Sequence, residues 1–122
     1  MPKPVAFTKT FRALRAVLKR YERHFTVVAD EPDKYYLASK TAKNGSGGAL
    51  WFGGVQVMKN YVTFHFIPIY AAPALVKTLS PDLQKRKQGK GCFNFSEISP
   101  AQVAELEKLA KRGFDGFIKQ FN

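Results

Sequence analysis

Apolar residues recur at three- and four-residue spacing over residues 8–25, where Phe11, Leu14, Val17, Leu18, Tyr21 and Phe25 fall on one face of a helix. The outer positions carry Lys9, Arg12, Arg15, Lys19, Arg20 and Arg23, with Glu22 as the one carboxylate among them. The rhythm then shifts to the two-residue period of strands. Thr26-Val27-Val28-Ala29 and Tyr35-Tyr36-Leu37-Ala38-Ser39 predict two adjacent strands, joined by the turn-forming Asp30-Glu31-Pro32-Asp33. A flexible loop over residues 43–48 leads into a strand over residues 49–57 with a bend at Gly53-Gly54, and Met58-Lys59-Asn60 is a tight turn. Residues 61–67 alternate most clearly, setting Val62, Phe64 and Phe66 on one side and Tyr61, Thr63, His65 and Ile67 on the other.

Ser80-Pro81-Asp82 predicts a helix start, because a serine cap, a proline at the first helical position and an early carboxylate all suit unpaired backbone N–H groups. That helix is short and stops at Gly89-Lys90-Gly91, before a brief strand over Cys92-Phe93-Asn94-Phe95. Ser99, Pro100 and Gln102 form a capping box, after which Val103, Leu106, Ala110, Phe114, Phe117 and Phe121 continue an apolar stripe past Gly113 and Gly116. No internal repeat or linker interrupts the order helix, strands, short helix, strand, helix. The pattern predicts one α+β domain over residues 1–122, an antiparallel sheet covered on one face by N- and C-terminal helices.

Composition supports a packed core: 45% of the 122 residues are hydrophobic, with eleven Phe, five Tyr and one Trp. Such a chain has enough apolar area to offset an ordering entropy of about 1–2 kcal/mol per residue. The longest apolar stretch, residues 61–79, is broken by His65, Pro68, Pro73 and Lys77, well short of a membrane span. The first residues lack an apolar signal segment and the single cysteine, Cys92, has no partner for an internal disulfide, so a cytoplasmic location is expected. The formal net charge of +11 favours anionic partners: small molecules, acidic proteins or nucleic acid.

The segment that best combines charge with backbone freedom is Lys85-Arg86-Lys87-Gln88-Gly89-Lys90-Gly91. Its glycines free consecutive N–H groups among cationic side chains, a combination that can cradle an oxyanion. It lacks the Gly-Lys-Ser/Thr ending of a nucleotide-binding P-loop. The plainer reading is a solvated helix end whose lysines complement the helix dipole. His65 and Tyr61 share the polar side of their strand and extend the candidate ligand-binding set, which therefore comprises Lys85, Lys87, Gly89, Lys90, Gly91, His65 and Tyr61. Cys92 has no sequence-near base and reads as a small buried hydrophobe. No His/Cys set has zinc spacing, no carboxylate pair is placed for acid–base work, and no serine sits in a nucleophile elbow, so no residue nominates an enzyme, a metal site or a cofactor. Trp51 and Tyr61 are the rings to check for base stacking beside a positive surface, Trp51 alternatively packing under the glycine-rich loop.

Residues 52–117 resemble the YdhG-like family of small bacterial proteins. The resemblance rests on Phe52-Gly53-Gly54, Lys59-Asn60-Tyr61-Val62-Thr63-Phe64-His65, Pro68-Ile69-Tyr70, Ser80-Pro81-Asp82-Leu83, the run from Gln88 to Phe95, and Lys111-Arg112-Gly113-Phe114. It implies a frataxin-like arrangement and, by that analogy, an iron-binding or iron–sulfur assembly chaperone. The first helix departs from it, since one carboxylate among six cations repels a cation that needs hard oxygen ligands. The leading expectation is a non-enzymatic binding module for an anionic small molecule or an acidic protein. Sequence-indifferent nucleic-acid binding through the basic first helix is a further alternative, and pairing of exposed sheet edges leaves a homo-oligomer open.

Overall fold

The computed structural model describes residues 5–43, 48–71, 73–88 and 91–121. In chain order the elements are α1 (Val5–Lys19), β1 (Thr26–Glu31), β2 (Lys34–Lys43), β3 (Ala49–Val57), β4 (Val62–Phe66), α2 (Pro68–Ala71), α3 (Pro81–Arg86), β5 (Lys87–Gln88), β6 (Cys92–Phe95) and α4 (Pro100–Phe121). Single 3-10 turns occupy Glu22–His24 and Pro73–Thr78. The strands form one six-stranded sheet in the order β1-β2-β3-β4-β6-β5, every neighbouring pair antiparallel. This is the expected α+β class with an antiparallel sheet and a long C-terminal helix.

Alternation decides which side of the sheet is buried. Val62, Phe64 and Phe66 of β4 and Phe93 and Phe95 of β6 are fully buried, and they join Phe11, Leu14, Leu18, Leu106, Leu109 and Phe117 from α1 and α4 in a single core. The two helices lie side by side and run in the same direction. Thr10 Oγ1 donates to the Ser96 carbonyl just ahead of α4 (3.4 Å), Arg20 pairs with Glu107 (3.5 Å), and Tyr21 stacks on Phe114 (4.5 Å between centroids). The capping box at α4 is formed as expected, with Gln102 N–H donating to Ser99 Oγ (3.2 Å) and Ser99 N–H to Gln102 Oε1 (2.9 Å). At α3, Ser80 Oγ likewise accepts from the Leu83 N–H.

Several boundaries differ from the sequence reading. The first helix ends at Lys19, and the chain reaches Phe25 through the turn at Glu22–His24, where Tyr21 N–H donates to Leu18 O and His24 N–H to Tyr21 O. Tyr21 and Phe25 stay buried because one tightened turn keeps them on the core side. The short helix stops at Arg86, not at the glycines, since Lys87 and Gln88 pair with Phe93 and Cys92. Residues 68–78, to which the sequence reading assigned no element, hold α2 and the second 3-10 segment. The loop expected over residues 43–48 falls mostly on residues 44–47, outside the described residues.

Two glycines three positions apart in α4 differ in what surrounds them. A Cβ on Gly113 would sit 2.5 Å from the Phe66 ring and 3.0 Å from Pro68, whereas one on Gly116 would meet nothing within 4 Å. Gly113→Ala is therefore expected to lower stability by about 1–3 kcal/mol through overpacking. Gly116→Ala should raise it by roughly 0.5–1 kcal/mol through reduced backbone entropy of the unfolded chain. Urea unfolding midpoints at unchanged slope read both effects, and equal responses at the two sites would contradict this packing.

Candidate functional site

On α1, Lys9, Arg12 and Lys19 are exposed and Arg15 is half-buried. α1 has no acidic residue, and among the described residues no carboxylate pairs with Lys9, Arg12 or Lys19. Arg15 pairs with Asp30 at 2.8 Å and lies over the Tyr35 ring. Glu22, the carboxylate read as part of that helix, turns inward and accepts from Tyr35 Oη at 2.6 Å. Burial, then this hydrogen bond, pushes the Tyr35 phenol up, so it stays a donor. Among the described residues no three His, Cys, Asp or Glu side chains come together in a way that could hold a metal ion.

The structure scatters the residues nominated from sequence. Lys85 is exposed in the last turn of α3, and Lys87 is half-buried on the edge strand β5. Gly91 is buried and its carbonyl accepts from the Phe66 N–H at 2.7 Å, so this end of the turn is tied to β4. Gly89 and Lys90 lie outside the described residues. His65 sits opposite Gly54 on β3 and Cys92 on β6, and Cys92 in turn faces Gln88 of β5, so His65 and the start of the glycine-rich segment share one cross-sheet row. Tyr61 precedes β4, four residues and about 13 Å along the strand from His65.

A hollow that the sequence reading did not single out lies between α4 and residues 78–79. It encloses about 320 Å³ and is lined by Thr78, Leu79, Glu105, Lys108, Leu109 and Arg112. Glu105, Lys108, Leu109 and Arg112 fall at helical spacing on one face of α4, and the floor is the buried pair Leu79 and Leu109. Ser80 N–H donates to Glu105 Oε2 at 3.0 Å, which fixes the single carboxylate of the hollow against the backbone. Lys108 and Arg112 are exposed, and among the described residues neither is paired with a carboxylate. A second hollow of about 290 Å³, between α1 and the start of α4, sets one cation, Lys9, against one carboxylate, Glu97, and has no charge preference. The spacing of residues 105, 108, 109 and 112 was visible in the sequence. Their partner segment, some 25 residues earlier, was not.

Among the described residues, the other face of the sheet carries no helix. Tyr36, Gly54, His65 and Cys92 form one row across it, and Lys34, Gln56, Thr63 and Asn94 the next. Tyr36 packs flat over Gly54, where any Cβ would collide with its ring, and Tyr36 Oη donates to Gln56 Oε1 at 3.0 Å. Burial, and after it the proximity of Cys92, pushes the Tyr36 phenol up.

No family model matches the chain, and neither a curated protein nor a solved structure is similar to it.

Burial holds the His65 imidazole below its ordinary value. The unfolded chain takes up this proton near pH 6.5, while the folded chain resists it until lower pH. The contribution to stability is thus complete above the unfolded value and is lost as pH falls through the folded one. The stability of the native chain should decline between about pH 7 and 5, and part of that decline should vanish in His65→Gln. Urea midpoints across this range measure it; superimposable profiles for the two chains would refute the assignment.

Proposed function

We propose that the chain is a non-enzymatic binding module for a small anionic molecule, held in the hollow that α4 forms with residues 78–79. The observation that carries this reading is the pair Lys108 and Arg112, one turn apart over an apolar floor, with the one carboxylate among the residues lining the hollow already engaged by the Ser80 N–H. A volume of about 320 Å³ is at the small end of ligand sites, which typically span roughly 300–1,000 Å³. Arg112 offers a planar fork suited to a carboxylate or phosphate, and Lys108 a mobile point charge beside it. Leu79 and Leu109 exclude water from one side of the ligand and so strengthen both interactions.

The excess of cations on α1 adds a positive field that raises the local concentration of anions. Lys85 and Lys87 offer the same chemistry at the β5 edge and remain a second place for an anion. The same reading takes the chain as YdhG-like and frataxin-like, a relationship supported by helices gathered on one side of an antiparallel sheet. The iron-chaperone analogy has no comparable support, because Glu22 is committed to Tyr35 and α1 has no carboxylate.

Isothermal titration with inorganic phosphate, pyrophosphate and citrate tests the proposal. At least one of these should bind, and Lys108→Ala with Arg112→Ala should weaken it roughly tenfold or more, the loss of a charge-assisted contact costing about 1.5–3 kcal/mol before solvent screening. Glu105→Gln should tighten binding by removing the like charge. Lys85→Ala with Lys87→Ala should leave it unchanged; loss there instead would move the site to the β5 edge. Absence of binding by all three anions, or indifference to the α4 substitutions, would overturn the assignment.

A further inference from the structure

The uncovered face of the sheet combines three properties that the α4 hollow does not share. The first is an exposed ring on a fixed support. Trp51 is 38% exposed, and its centroid lies 4.7 Å from that of Tyr36, the planes tilted by 46°. Tyr36 is itself immobilised, its ring filling the space over Gly54 and its hydroxyl bound to Gln56. The second is an array of uncharged hydrogen-bonding groups. Thr63 lies opposite Gln56 on one side and Asn94 on the other, and all three residues are half-buried. The third is a cationic flank. β2, β3, β4 and β6 contain no Asp or Glu, and Lys59 is exposed at the turn between β3 and β4. Lys34 shares the row of Gln56, with Glu31 of the edge strand β1 opposite it as the one carboxylate of that row.

From these we infer that this face binds a single-stranded nucleic acid, one base stacking on Trp51, neighbouring base edges meeting Gln56 and Thr63, and phosphates running toward Lys59 at the turn between β3 and β4. A base has a π-face that any exposed ring accepts, and its edge carries donors and acceptors that side-chain amides and hydroxyls can meet. An open antiparallel sheet presenting an aromatic ring suits bases that are already unstacked, whereas the base edges of a duplex are turned inward. A protein partner fits less well. Interface cores are apolar over an area near 800 Å² per side, and among the described residues of β2 to β6 Trp51 is the one large exposed apolar side chain, Val27 and Val28 lying on the edge strand β1. The surface is distinct from the cations of α1 and from the α4 hollow, which lie across the core.

Trp51 is the only tryptophan of the chain, so its fluorescence reports this site directly. Titration with a ten-residue oligouridylate or oligothymidylate at low salt should quench it saturably, and a labelled oligomer followed by anisotropy should give the same affinity. Trp51→Ala should weaken binding roughly tenfold while the circular dichroism spectrum and melting temperature stay close to those of the native chain. Trp51→Phe should retain most of the affinity, and Lys108→Ala with Arg112→Ala should change it less than about twofold, separating this site from the α4 hollow. The inference is overturned if a duplex of the same length binds as tightly and Trp51→Ala has no effect, which would locate binding on the cationic helices. It is equally overturned if poly-glutamate quenches Trp51 and the oligonucleotides do not.

Discussion

The packing of Phe52 constrains the rest of the molecule. This side chain is fully buried and contacts Tyr21 and Phe25 from the segment after α1, Phe66 from β4, and Phe114 and Phe117 from α4. It is thus the point at which both layers and the connection between them meet. To reach that position the chain departs from regular pairing. Leu37 of β2 faces Gly53, but Ala38 faces Trp51, so Phe52 is an extra residue, a bulge. Phe52 and Gly53 both lie on the core side, and Gly53, lacking a side chain, lets Leu18 of α1 approach the sheet. The same slip sends Trp51 and Gly54 to the opposite face, where Tyr36 packs on both. Core packing and the character of the uncovered face are consequences of one register shift.

Electrostatics follows from how the few carboxylates are used. Of nine acidic residues, Asp30, Asp82, Glu107 and Asp115 are in ion pairs, Glu22 accepts from Tyr35, and Glu105 accepts from Ser80. Several of these contacts pin one element to another: Asp82 also accepts from Gln102, fastening α3 to the first turn of α4. Exposed ion pairs add little stability, typically 0–1 kcal/mol each. Their larger effect is to consume negative charge, so the cations they leave over dominate the helical layer. A positive surface with apolar hollows in it is then the expected outcome, and Lys108 and Arg112 bracket one of them.

The strongly periodic elements were legible because their signals are local. The capping box at Ser99 and Gln102, the serine cap at Ser80 and the alternation of residues 62–66 each depend on residues within a few positions of one another. The end of α1 was not legible, because Tyr21 and Phe25 keep helical spacing while the backbone tightens into a 3-10 turn. Strict alternation through β3 would place Trp51 with Gly53 and Val55 in the core; only the bulge, specified by pairing with β2, sets it outside. The α4 hollow escaped for a related reason. Half of it is written at helical spacing in residues 105–112, and the other half arrives through Pro73–Thr78, a 3-10 segment too short to leave a periodic signal in the sequence.

The sheet edges show why recognition falls to faces and hollows. An open edge strand normally invites another chain to pair with it. β5, at one edge, is only two residues long, too short to nucleate a ladder, and its Lys87 and Gln88 are polar. β1, at the other edge, exposes Val27 and Val28 but breaks its own register between Val27 and Ala29 and carries Asp30, held by Arg15, and Glu31. A bulge and paired charges are the devices by which edge strands resist strand addition. With both edges blunted, backbone pairing contributes little to binding, and specificity must come from side chains that the two layers display. The layers display different chemistries: cations over an apolar floor on α4, and a supported ring among uncharged polar groups on the sheet. Because the sheet and α4 lean on the same Phe52 cluster, each surface keeps its shape only while that cluster is packed. A ligand on either face therefore stabilises the whole domain by mass action, whatever it contacts locally.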